Sequence, residues 1–128
     1  MNETIDKLVE NREKIADLIE TFSLALKKKN CTPEVLDLLH RISFYSEDFF
    51  IHAELFLKKY NLASYEKHTI AHKEFVNQLI QFQERLEKGE SMLAFDLYDY
   101  VTNWFSTYLT TTEKEVANYI ESGKSQVD

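Results

Sequence analysis

The chain has 128 residues, of which 44% are apolar and 29% charged, with 22 acidic against 15 basic side chains. Residues 1–128 are enough for one domain with a buried core, and two glycines and one proline are too few for a sheet with many tight turns. The net charge of −7 argues against nucleic acid binding, the single cysteine excludes an internal disulfide, and no stretch approaches the ~20 apolar residues of a membrane span. We therefore expect a soluble cytoplasmic protein that binds neither nucleic acid nor membrane.

The first two predicted helices are separated by a short loop. Apolar residues recur at three- and four-residue steps over about 3–28, and Arg12 is the one charge in that apolar stripe. Thr32 is suited to cap a second helix over about 33–60, because the only proline follows it at the first helical position. Asn61 can end this second helix in a left-handed turn.

Two more helices are predicted in the second half of the chain. Ser64 can cap a third helix that ends at Gly89, and Ser91 can cap a fourth that runs to about Ile120. The tail 122–128 is expected to be frayed. Four helices of similar length with short links favour antiparallel neighbours, so we predict an all-α, up-down-up-down antiparallel four-helix bundle.

Two histidines of the third helix form the most informative pair. His68 and His72 are four residues apart, which places both imidazoles on one helical face, one turn from each other. Two imidazoles so placed can share a metal ion, although two half-buried histidines bonded to other side chains give the same pattern. His40 and His52 are expected at the surface or at its boundary with the core.

Five stretches of this sequence resemble bacterial hemerythrins. They are YSEDFFIHAE (45–54), LKKY (57–60), YEKH (65–68), HKEF (72–75) and WFSTYL (104–109), the last followed by Glu113. The resemblance covers roughly residues 5–120. It implies a four-helix bundle, and in that family the bundle binds oxygen at two irons held by five histidines, one glutamate and one aspartate.

The resemblance also implies where the iron ligands would lie. The third-helix histidine pair is retained as His68 and His72. The other three histidine positions hold Arg12, Phe49 and Tyr108, the glutamate position holds Ala53, and the aspartate position holds Glu113. A guanidinium cannot ligate a metal because it stays protonated, and the two aromatic rings can fill space that metal and imidazole would leave. A di-iron centre is therefore not expected.

The favoured interpretation is a protein that does not carry oxygen and has a binding, regulatory or structural role. Its core would hold a metal-free polar network in which Arg12 pairs with Glu113, since a buried charge needs a partner. The other members would be His68, His72 and Tyr108. No cofactor is expected, and no phosphate loop or nucleophile motif indicates an enzyme.

Two alternatives remain open. His68, His72 and Glu113 could hold one iron or zinc ion, since two histidines and a carboxylate suit either metal, and such a protein could sense oxygen or redox state. Alternatively, the bundle could be a scaffold that binds a protein partner or a second copy of itself. Four residues are difficult to place inside and favour that possibility: Phe44, Leu55, Phe82 and Tyr100.

Overall fold

The computed structural model describes residues 2–123, in which all regular secondary structure is helical and there is no strand. The helices are α1 (Glu3–Ala25), α2 (Thr32–Lys59), α3 (Tyr65–Glu87), α4 (Leu93–Trp104) and α5 (Thr110–Glu121), with a π-helical turn at Phe105–Leu109. The last three segments follow one another directly and make up the fourth helix. The predicted all-α class with four helices is therefore confirmed, while most of the predicted frayed tail, 124–128, lies outside the described residues.

The first loop differs from the prediction at both of its ends. Helix α1 ends at Ala25 and not near residue 28. Residues 26–30 form turns, and Asn30 has a left-handed conformation with φ 57°. Thr32 is the first residue of α2, so the cap position falls on Cys31 and the predicted Thr32 cap was wrong by one residue. Asn2 caps α1 by accepting from the amide of Thr4 at 2.9 Å.

The asparagine and glycine that were predicted to end helices do so, whereas the two predicted serine caps are not both found. Asn61 has the expected left-handed conformation, with φ 52°, and Gly89 has φ 97° after the end of α3. Ser64 occupies the N-cap position of α3, as predicted, but its hydroxyl donates to the Glu115 carboxylate instead of accepting from a backbone amide. Ser91 was wrong as a cap, since α4 begins at Leu93 and its N-cap position is Met92.

Packing of the four helices encloses one apolar core. Helix α1 contacts α2, α2 contacts α3, α3 contacts α4, and α1 also contacts both α4 and α5. Phe44 and Leu55 are exposed as expected, at 68% and 62%, whereas Phe82 and Tyr100 pack against the core and against each other. None of the helices within 2–123 has the length and apolar character needed to cross a membrane.

The π-helical turn interrupts a helix that was predicted to be continuous. Around it, five hydroxyl side chains donate to carbonyls of the preceding turn, and the shortest of these bonds is from Thr111 Oγ1 to the Thr107 carbonyl, at 2.6 Å. Such back-bonding competes with backbone amides for the same carbonyls and bends helices. The hydroxyl-rich stretch therefore accounts for the wider turn, which carries Tyr108.

Candidate functional site

The seven residues predicted for the central site lie on all four helices. Phe49 and Ala53 of α2 and His68 of α3 are buried, the first of them completely. The other four are half-buried: Arg12 on α1, His72 on α3, Tyr108 on the π-helical turn and Glu113 on α5. The hydrogen bonds divide the polar members into three groups, so the single network that we predicted is wrong in its connectivity.

The first group is the predicted ion pair. Arg12 Nε of α1 donates to both carboxylate oxygens of Glu113 on α5, at 3.0 and 2.9 Å. The side chains are 32% and 16% exposed, so the pair is partly shielded from water. A charge-assisted bond of this kind satisfies both charges where α1 meets α5.

The second group surrounds His68. Its Nδ1 lies 2.6 Å from the hydroxyl of Tyr108, and its Nε2 lies 2.9 Å from one oxygen of Glu115. The other oxygen of Glu115 accepts from Ser64, at 2.5 Å. Burial raises the pKa of the Tyr108 phenol above its ordinary value, so Tyr108 keeps its proton and can donate to His68.

The third group surrounds His72, one turn further along α3. Its Nε2 lies 2.8 Å from Glu47 and its Nδ1 lies 3.0 Å from Glu54, both on α2. The ring stacks on Phe50, with centroids 4.2 Å apart and planes within 4° of parallel. Burial lowers the pKa of His72, but the hydrogen bonds and charges of the two glutamates outweigh it, so the net shift is upward.

The donors of the mononuclear alternative do not come together as a metal site. His68, His72 and Glu113 each bond a different partner, and within residues 2–123 no three histidine, cysteine or acidic side chains are placed so that they could hold a metal ion.

The site contains residues that the sequence analysis did not select. Glu47, Glu54 and Glu115 hold the two histidines of α3, and Ser64 supports Glu115. The seven-residue spacing of Glu47 and Glu54, two turns along one face of α2, was the available sequence signal.

The remaining histidines lie near their expected places. His40 is exposed, as predicted. His52 is half-buried, and its Nδ1 lies 2.8 Å from the carbonyl oxygen of Asp48 one turn earlier in α2. The Asp48 carboxylate accepts from the buried Asn11 of α1 at 2.8 Å. His52 therefore belongs to the boundary between core and surface, and not to the central site.

Comparison with known proteins gives no match to this chain, whether with family models, curated proteins or solved structures.

Proposed function

We propose that this chain is a hemerythrin-like, up-down-up-down antiparallel four-helix bundle whose di-iron site has degenerated, and that it is a cytoplasmic binding, regulatory or structural protein. It is neither an oxygen carrier nor an enzyme in this proposal. Cross-helix contacts support the antiparallel order. Between the first and fourth helices, Arg12 meets Glu113 while the later Phe22 meets the earlier Tyr98.

The same reversal is found between the third and fourth helices. His68 contacts Tyr108, whereas Phe75, further along α3, stacks on Trp104, which precedes Tyr108. Residue numbers that rise along one helix while they fall along its neighbour indicate opposite directions. This is the arrangement that the resemblance implies.

The bond between Arg12 and Glu113 is the observation that carries the proposal. Under the resemblance, Arg12 stands at a histidine ligand position and Glu113 at the position of a bridging carboxylate. Here the guanidinium uses both oxygens of that carboxylate and supplies a positive charge of its own. A metal bound at Glu113 would have to displace Arg12 and then tolerate its charge nearby, which disfavours binding.

Metal content tests the proposal directly. Protein expressed with excess iron and purified in air is expected to contain no stoichiometric iron or zinc, and its absorption spectrum is expected to show aromatic bands alone. Two irons per chain with an oxo-bridge absorption would contradict the proposal. One bound ion, abolished by His72→Ala, would establish the mononuclear alternative in its place.

A restored variant tests the resemblance itself. Five substitutions bring the family's ligand set back to the positions inferred here: Arg12→His, Phe49→His, Ala53→Glu, Tyr108→His and Glu113→Asp. If those positions converge, the variant should bind two irons and acquire their absorption. The matched control carries the other four substitutions and keeps Arg12, and it should bind less iron. Circular dichroism establishes that both variants are helical, and a folded five-fold variant without iron would show that the inferred positions are wrong.

The scaffold alternative is supported by the exposed apolar side chains. Phe44, Ile51 and Leu55 follow one face of α2 and are 68%, 44% and 62% exposed. Apolar residues grouped in this way mark binding surfaces more often than isolated ones do. Sedimentation over a range of concentrations distinguishes self-association from a monomer that needs a different partner.

A further inference from the structure

A groove of about 540 Å³ lies between α2 and α3, away from Arg12 and Glu113. Its lining comes from residues 40–51 of α2 and 75–83 of α3. Most of the wall is apolar, and it includes Phe44, Phe50, Ile51, Phe75, Leu79 and Ile80. Sites for small molecules have volumes of about 300–1,000 Å³ and combine apolar walls with a few polar groups, so this groove has the size of such a site.

Ser46 is a polar residue of the groove whose hydroxyl lacks a hydrogen-bond partner within the described part of the protein. It lines the groove, it is 1% exposed, and its hydroxyl has no hydrogen-bond partner among the described residues. A serine inside a helix ordinarily bonds the carbonyl of the preceding turn, as Ser106 does in the fourth helix. Buried polar groups are almost always paired, so an orphan hydroxyl on a residue that lines a groove indicates that a ligand supplies the partner.

The charge of the lining points to the class of ligand. Glu47 and Asp48 are its only formally charged members, and neither lysine nor arginine lines the groove. Both carboxylates keep one bond inside the protein, to His72 and to Asn11, but their side chains remain 50% and 38% exposed. With His72 counted as a cation between Glu47 and Glu54, this edge still has a net negative charge, so a protonated amine is attracted to it, whereas an anion is repelled.

Aromatic side chains indicate the body of the ligand. Phe50 and Phe75 lie at the inner part of the groove, with ring centroids 5.7 Å apart, while Phe44 stands exposed at its edge. A flat ring packs favourably against the exposed ring of Phe44, and an ammonium group close to that ring gains a cation–π interaction. A flat molecule with one amine therefore matches both the walls and the charged edge.

We propose that this groove is a binding site for a small aromatic amine, with the ring between α2 and α3, the ammonium group at Glu47 and a hydrogen bond to Ser46. This inference is independent of the hemerythrin resemblance, because it uses none of the inferred iron-ligand positions. It assigns a binding role to the α2–α3 groove whatever the metal content of the core.

Three probes that share an indole ring test the proposal. Tryptamine is a cation, tryptophol is neutral and indole-3-acetate is an anion at neutral pH. Titration of ¹⁵N-labelled protein should give saturable shifts within 40–51 and 75–83 with tryptamine, at a dissociation constant of about 1 mM or below. Tryptophol should bind more weakly, and indole-3-acetate about tenfold more weakly than tryptamine.

Two variants locate the interactions, with one matched control. Glu47→Gln should reduce the preference for tryptamine over tryptophol, and Ser46→Ala should weaken tryptamine about fivefold, the usual effect of one lost hydrogen bond. Glu54→Gln is the control, because it removes a carboxylate from the same His72 without lining the groove. It should leave the preference for tryptamine in place.

Three outcomes of the probe titrations would overturn the proposal. They are equal binding of cation and anion, saturable shifts confined to other parts of the molecule, and an absence of saturable shifts with any probe. Shifts at 40–51 and 75–83 that depend on protein concentration alone would also overturn it, since they would assign the groove to a second copy of the chain.

Discussion

His68 and His72 occupy the same face of α3, one turn apart, yet their surroundings differ. The His68 side chain is 9% exposed and bonds one carboxylate and one hydroxyl. The His72 side chain is 16% exposed, bonds two carboxylates and stacks on Phe50. The partners come from different helices, since His72 is held from α2 and His68 from the fourth helix.

The number of hydrogen-bond donors on each imidazole explains the difference between the two sets of partners. A neutral imidazole has one N–H donor and one acceptor nitrogen. The neutral form satisfies His68, because Nε2 can donate to Glu115 while Nδ1 accepts from Tyr108. Ionised carboxylates only accept, so His72 satisfies Glu47 and Glu54 together only as the imidazolium. Two histidines with the spacing of a metal pair are thus occupied separately, by different sets of partners.

The largest expected effect comes from removing the ring shared by both environments. Phe50 is 1% exposed, stacks on His72 and contacts Tyr108, the partner of His68. We expect Phe50→Ala to lower the free energy of unfolding by about 3–5 kcal/mol, because it leaves a cavity in the core. Chemical denaturation measures this, with Phe50→Leu as a milder control. A loss under about 1 kcal/mol would show that the ring is not a packed part of both sites.

A smaller effect should separate the two histidines. Glu115→Leu removes the acceptor of both His68 and Ser64 and should cost about 1–3 kcal/mol, since a buried donor loses its partner. Glu47→Leu should cost about 0–1 kcal/mol, because the Glu47 side chain is 50% exposed and water can replace it at His72. Denaturation of both variants at neutral pH checks the order. The reverse order would contradict the assignment of His68 as the more buried site.

The sequence predicts the helices better than it predicts their contacts. Apolar periodicity along α2 places Phe49 and Phe56 in the core, as observed, because a helix has one period and only one face can be buried. The pairing of Arg12 with Glu113 was predictable because a charge inside an apolar stripe needs a partner, and the resemblance brought the two positions together.

The carboxylates around the histidines could not be assigned in the same way. Glu47 and Glu115 reach α3 from other helices, and nothing close to them in the sequence distinguishes them from the solvated acids of an acidic chain. The hydroxyl residues of the π-helical turn were a local sequence signal. However, the hydroxyl of a helical threonine such as Thr111 either bonds a carbonyl of the preceding turn or bonds water, and the two hydrogen bonds have similar free energies. Tertiary packing decides between states with such small free-energy differences, and the apolar pattern of the sequence does not specify that packing.

The smallest expected effect, and the most specific to the comparison, is the pH dependence of stability at His72. Its pKa is raised in the folded protein above the ordinary value of 6.5, so its contribution is complete below that value and is lost as the pH rises through the folded-state pKa. The stability difference between the native chain and His72→Gln should therefore shrink from about pH 6 to about pH 9, by less than about 1 kcal/mol because Glu47 is half-exposed.

Nuclear magnetic resonance gives the direct measurement of the same effect. The ring protons of His72 should titrate with a midpoint above 6.5, and Glu47→Gln should lower that midpoint because it removes one of the two charges that hold the imidazolium. Glu115→Gln, which changes only the partner of His68, is the matched control and should leave the His72 midpoint in place. A His72 midpoint that responds equally to both substitutions would mean that the two histidines titrate as one coupled unit, and the separation between the α2 side and the fourth-helix side of α3 would fail.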